Sequence, residues 1–346
     1  MRYVIVGAGG VGGVIGGLLA ESGREVALVA RGEHGAAIAA DGLVVRRPDR
    51  DLRLRLPVAP TVAELGLLAG DVVVLAVKSQ QTAGVLEQLG AEHVSGRRAT
   101  DELPILCAQN GVANEAAALR IAPEVHGICV NLPATHLEPG VVIGEGAPVA
   151  GVLTIGRAAG GVDDLDRLVA EDLTAAGFRG RADDDVMAWK RAKLLRNVGN
   201  AIEALCGHVQ DDDADRLDRL VRDEASTVFA AAGLSVVADD RYAADISGYS
   251  AQAVGGRGRE GGSTWQSVAR GQGTVETDWL NGEIALLGRL HGVPTPANVL
   301  LQQEMWRLVT EGGAPGSRRA SDLVAEIDAP SLIRPSARSD RGQGVE

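Results

Sequence analysis

Apolar positions at the amino end fall into two short blocks separated by a glycine-studded stretch. Tyr3-Val4-Ile5-Val6 is continuously apolar and suits a buried strand. Gly7-Ala8-Gly9-Gly10-Val11-Gly12 follows, a helix-like apolar segment then runs to Ser22-Gly23, and Glu25 to Ala30 reads as a second strand. Beyond it, Gly42 to Leu56 alternates in a polar, β-like way. Asp71 to Val77 and Pro104 to Ala108 are further buried-strand patterns, each running into a polar turn: Lys78-Ser79-Gln80-Gln81-Thr82 and Gln109-Asn110-Gly111. A helix to about Arg120 and a strand from His126 to Asn131 come next. Short β-like segments from Glu138-Pro139-Gly140 to Ile155, a helix over Asp163 to Ala175 and a strand near Phe178 complete the first half. Strands alternating with helices predict an α/β fold with a mostly parallel sheet.

The periodicity then changes. Asp183-Asp184-Asp185 introduces a helix expected from Met187 to Leu205, with the acids favouring its amino end. Leu217, Leu220, Val221, Val228 and Phe229 form one helix face, Gly292 stops a later helix, and Thr295-Pro296 can cap and start the next. After Gly312 the composition turns to Gly, Pro, Ser, Arg and Asp and predicts a mobile tail. The expected division is a nucleotide-binding domain over residues 1–183, a helical domain over 184–312 and a tail over 313–346.

The strand–turn–helix–strand context turns the glycine pattern into a dinucleotide fingerprint. Gly7 permits the tight turn, Gly9 lets backbone approach a pyrophosphate, and Gly12 lets the helix pack on the strand; Gly10, within the same turn, is a further cofactor-binding candidate. The second strand ends at Arg31, where an NAD site usually carries an acid. An arginine there suits the 2′-phosphate of NADP(H). In open α/β sheets ligands bind beyond the carboxyl ends of strands, which is where Lys78 and Asn110 also fall.

Composition narrows the possibilities. Hydrophobic content of 45% fills a sizeable core, but aromatics at 3% require that core to be Val, Leu, Ile and Ala. A net charge of −12 argues against nucleic acid or anionic membrane as partners. The glycine-rich start, followed directly by charge, argues against an export signal. Cys107, Cys129 and Cys206 are odd in number, lack metal spacing and suggest a reducing, cytoplasmic setting. The chain has 31 arginines but only three lysines: Lys78, Lys190 and Lys193. Lysine can give up a proton near neutral pH and arginine cannot, so each lysine is a candidate for chemistry.

In the helix after the nucleotide domain, Lys193 and Asn197 are i,i+4 neighbours, with Asn200 and Ala201 one turn on. Lys190, Arg191 and Arg196 read as its solvated side. Later, Ser263-Thr264-Trp265-Gln266-Ser267 precedes Thr274-Val275-Glu276-Thr277-Asp278-Trp279-Leu280-Asn281-Gly282. Taken alone, Glu276 and Asp278 simply charge a helix amino end.

The order and spacing of these segments, with His291-Gly292-Val293-Pro294-Thr295-Pro296, resemble the ketopantoate reductase (2-dehydropantoate 2-reductase) family over residues 1–310. The resemblance implies a Rossmann domain followed by a helical domain, NADPH, and reduction of a 2-oxo acid to a 2-hydroxy acid. It implies Lys193 as catalytic lysine, Asn197 as substrate ligand, Glu276 as the carboxylate beside nicotinamide and substrate, and Lys78 and Asn110 at the cofactor edge. Asn200, Ser263 and Thr264 are further substrate-side candidates, and a homodimer is possible. Two positions depart from the pattern: Ala201 stands where a second asparagine is common, and Thr264, next to Ser263, where a serine contacts substrate. An opine-type dehydrogenase and a non-catalytic NADP-binding sensor are the alternatives.

Overall fold

The computed structural model describes residues 1–256, 258, 260–271 and 274–329. An eight-stranded sheet forms the first part. Its order across the sheet is Arg179–Ala182, Val152–Arg157, Val125–Asn131, Ile105–Cys107, Asp71–Leu75, Arg2–Val6, Glu25–Val29 and Val58–Ala59. The pairs are parallel except where Val125–Asn131 meets Val152–Arg157. Alternate residues of the same strands supply two cores. Tyr3, Ile5, Val72 and Val74 join Ile15, Leu18, Val169 and Leu173 on one face, while Val4, Val6, Val73 and Leu75 join Val85, Leu86 and Leu89 on the other. Both faces are covered, which is why these strands read as unbroken apolar runs.

The polar stretch after Gly42 forms two strands, Leu43–Arg46 and Asp51–Leu54, of a separate four-stranded sheet. Val141–Gly144 and Ala134–Glu138 complete it, and this small sheet lies over the helix Gly10–Glu21.

Beyond Ala182 the chain is mainly helical around a third core that contains Leu194, Leu217, Val221, Phe229, Ile284 and Leu301. Three local expectations are corrected. The helix expected from Met187 to Leu205 is two helices, Val186–Asn197 and Asn200–Cys206. Between them lies Gly199, where an added Cβ would come within 2.4 Å of Asp218 Oδ1 on the neighbouring helix Asp212–Ala231, so a side chain there would have to displace that carboxylate. Thr295 precedes the helix Pro296–Thr310 but its side chain does not cap it. Instead Glu224 accepts hydrogen bonds from the backbone of Ala297 and Asn298, at 2.8 and 2.9 Å. Finally, Ala320–Asp328, expected within a mobile tail, is a helix that buries Leu323, Val324 and Ile327 in the third core. Its polar surroundings hid a short apolar face. Residues 330–346 of that expected tail lie outside the described residues. Among the described residues no helix is long and apolar enough to cross a membrane.

Candidate active site

The glycine turn has the shape a pyrophosphate needs. Gly7 has a φ of 102°, and an added Cβ would sit 2.7 Å from Val77 N. A Cβ on Gly12 would lie 2.1 Å from Gly7 O, whereas one on Gly9 would meet nothing within 4 Å. The helix Gly10–Glu21 starts from Gly9 without a side-chain cap, so its first N–H groups suit an anion. Gly10 faces the main chain of Ala134, whose carbonyl carbon would be 3.3 Å from an added Cβ. Ala134 was missed in the sequence, because a wall made by backbone leaves no side-chain signal.

His34 fixes this turn from outside. Gly140 N donates to His34 Nδ1 at 2.9 Å, so the ring proton is on Nε2, which donates to Ala8 O at 2.7 Å. Burial lowers the His34 pKa and favours this neutral form. The Glu138-Pro139-Gly140 turn is thereby tied to the glycine turn. Arg31 follows the strand Glu25–Val29 at the carboxyl edge and is exposed at the start of the helix Gly32–Asp41.

Lys78 and Glu276 meet across the two halves of the chain. Lys78 Nζ lies 2.7 Å from Glu276 Oε2, while Ser79 N and Oγ each donate to Oε1 at 3.1 Å. Glu276 is buried and Lys78 half-exposed. The segment Glu276–Trp279 is a single 3-10 turn whose leading carboxylate is directed at the nucleotide domain rather than at its own N–H groups. Its contacts are therefore not those of a helix cap. Ser79 is a further partner, concealed in sequence beside the more conspicuous lysine.

Lys193 projects from the helix Val186–Asn197 towards the sheet edge. Its Nζ donates to Asn110 Oδ1 at 2.8 Å and to Val130 O. Asn110 thus holds the lysine, just beyond the strand Ile105–Cys107. Asn197 closes the same helix half-buried, and its amide makes no hydrogen bond among the described residues. Asn200 begins the next helix, and Ser263 and Thr264 begin the helix Ser263–Ala269, which packs against it. Gly262 N donates to Glu203 Oε2 at 2.8 Å, and a Cβ there would be 3.9 Å from Asn200 Oδ1. Thr264 is buried and Ser263 half-buried.

Lys190, read from the sequence as solvated, is buried. It pairs with Glu115 and donates to Gln109 O at 2.9 Å and Cys107 O at 3.3 Å. Arg191 is also buried, donating to Ser235 O at 2.9 Å. The scarcity of lysine marked Lys190; helical periodicity alone misassigned it, because the sheet edge covers that face too.

Residues 3–160 match the family described as ketopantoate reductase PanE/ApbA, and 185–307 match its C-terminal domain. The chain belongs to this family. A 2-dehydropantoate 2-reductase of Pyrococcus horikoshii is 28% identical over 316 residues, covering 89% of this chain and 96% of that protein. One from Halobacterium salinarum is 29% identical over 313 residues, with 86% and 95% covered. The crystal structure of a PanE/ApbA family ketopantoate reductase from Ralstonia eutropha JMP134 superposes with a TM-score of 0.74 at 27% identity, covering 90% of this chain and 99% of that one. The two regions matched to the ketopantoate reductase family contain every residue of the site described above: the glycine turn to Asn110 in the first, Lys193 to Glu276 in the second.

Proposed function

We propose that this chain catalyses NADPH-dependent reduction of a 2-oxo acid, ketopantoate or a related compound, to the 2-hydroxy acid. The observation that carries this reading is Lys193, held by Asn110 at the carboxyl edge of a sheet whose glycine turn fits a dinucleotide. NADPH would lie on Gly7, Gly9, Gly10 and Gly12, with Arg31 at its 2′-phosphate and Lys78, Asn110 and Glu276 along its edge, and would supply the hydride. Lys193 Nζ gives its proton to the developing alkoxide, and its positive charge stabilises that oxygen beforehand. Asn110 Oδ1 and Val130 O, both weak bases, orient the ammonium without removing its proton. Glu276, fixed by Lys78 and Ser79, orients substrate and ribose or nicotinamide. Asn197, Asn200, Ser263 and Thr264 bind the carboxylate or hydroxyl groups of the substrate.

NADPH oxidation measured against ketopantoate and a panel of 2-oxo acids tests the reading. Amine-dependent oxidation would favour an opine-type dehydrogenase, and cofactor binding without turnover a sensor. Lys193→Arg keeps charge but not an available proton. It should lower turnover by about 10²–10⁴-fold with NADPH binding retained; near-normal turnover would reduce Lys193 to a charge and pass the proton to Lys78. The reading extends to a cytoplasmic homodimer. Its support is three buried, free cysteines and the exposed apolar Leu286, Leu290 and Trp306 on two adjacent helices. Sedimentation equilibrium should give twice the chain mass; a monomer at all concentrations would remove the dimer.

A further inference from the structure

The amino edge of the sheet, opposite the glycine turn, carries a separate cluster. Glu124, His126 and Asp163 each offer a donor atom, and these atoms lie within 4.8 Å of one another. His126 is the second residue of the strand Val125–Asn131 and is fully buried. Its Nδ1 is 2.7 Å from Asp166 Oδ1. A carboxylate only accepts, so Nδ1 carries the proton, and in the neutral ring Nε2 holds the lone pair. Nε2 is itself buried and makes no hydrogen bond.

Distances distinguish the occupants of this gap. Glu124 Oε1 lies 3.7 Å from His126 Nε2, too long for an N–H···O bond. Two ligands at about 2.1 Å from one tetrahedral metal stand about 3.4 Å apart. A buried ring nitrogen with no hydrogen-bond partner, set beside two carboxylates, suits a cation between them. We propose that His126 Nε2 and one carboxylate oxygen each of Glu124 and Asp163 bind a single divalent transition-metal ion, of the Zn²⁺ class. An imidazole with two carboxylates favours such ions over Ca²⁺ or Mg²⁺.

The surroundings suit this role. Asp166, on the non-ligating nitrogen, fixes the ring and its tautomer, as carboxylates behind metal-bound histidines do. Asp163 caps the helix Asp164–Ala175, with its Oδ1 accepting from Asp166 N at 3.0 Å and Asp166 Oδ2 accepting from Asp163 N at 3.0 Å. Asp163 is thus held in place before any ion arrives. Its Oδ2 accepts from Arg157 at 2.9 Å, and that arginine is 40% exposed, so it can release this oxygen to solvent. Glu124 is 45% exposed and gives the ion a route in. The ion would fasten the start of the strand Val125–Asn131 to the head of the helix Asp164–Ala175, away from the reducing site.

The test uses the full chain, stripped with EDTA, dialysed and titrated calorimetrically with ZnCl₂, with thermal midpoints read in parallel. The wild-type chain should bind one Zn²⁺ and melt at a higher temperature with it. Glu124→Gln, at a half-open position, and Asp163→Ser, which keeps a capping oxygen, should each weaken that site at least about tenfold. His126→Gln should abolish it, and the two milder variants decide the matter if that protein does not fold. Absence of Zn²⁺ binding to the wild-type chain overturns the proposal. So does equal affinity in Glu124→Gln, which would place the ion elsewhere, for instance at His208 and Glu203. Stability that follows pH but not Zn²⁺ would assign the gap to a proton on His126 and overturn it equally.

Discussion

Two lysine–glutamate pairs join the nucleotide-binding half to the helical half, and they differ in almost everything except composition. Lys190 and Glu115 are each 2% exposed, and Lys190 also holds the carbonyls of Cys107 and Gln109 at the end of a central strand. Lys78 and Glu276 are 36% and 8% exposed and lie beside the glycine turn's edge of the sheet. The first pair is sealed, so each charge depends on the other, and the ammonium also on fixed backbone oxygens. The second is open on the lysine side, where water and ligand can compete for the ammonium. The same two residue types thus serve as a rivet in one place and as an adjustable contact in the other, and solvent access makes the difference.

The largest expected effect comes from breaking the rivet. Glu115→Gln leaves a buried ammonium without its counter-charge and should destabilise the fold by about 3–5 kcal/mol, read from urea unfolding. The double variant Glu115→Leu, Lys190→Met should recover most of that loss. Glu276→Gln provides the contrast. Its stability should fall by less than that of Glu115→Gln, because water reaches Lys78 and the glutamine oxygen can still accept from Ser79, while turnover should fall about tenfold to 100-fold, the range for a lost hydrogen bond to a charged group. Similar unfolding losses in the two variants, with full activity in Glu276→Gln, would erase the distinction. The smallest effect sharpens it from the cofactor side. Arg31, exposed at the surface, should contribute only to the 2′-phosphate. Arg31→Ala should weaken NADPH by about tenfold and leave NADH nearly unchanged in fluorescence titrations; equal losses would remove Arg31 from cofactor choice.

The site was legible where a residue's chemistry is unusual for its place. Glycines at fingerprint spacing and a lysine in an arginine-rich chain stand out from a single sequence, whereas Asn110-Gly111 taken alone reads as an ordinary turn and was marked only by its place at the ligand edge. Lys190 stood out by type, but its surroundings were misread, since periodicity reports one buried face and this helix is covered on two. Ala134 and Ser79 were overlooked because one acts through its main chain and the other is overshadowed by Lys78. The break at Val198–Gly199 was likewise hidden, since the contact Gly199 makes is with Asp218, nineteen positions away in the chain.

The sequence by itself determined the parallel sheet, the change to helices after Ala182, the Val- and Leu-rich core and the glycine turn. These follow from local period, strand-length apolar runs and the absence of a Cβ, all properties of neighbours in the chain. Only the tertiary structure decided which charges meet. Lys78 reaches Glu276, 198 positions on, and Lys193 reaches Asn110, 83 positions back. The helix Ala320–Asp328 likewise finds its place only against the core it helps to close. Coulomb and hydrogen-bond energies depend on distance and on exclusion of water, and neither exists until the helical half is folded against the sheet edge.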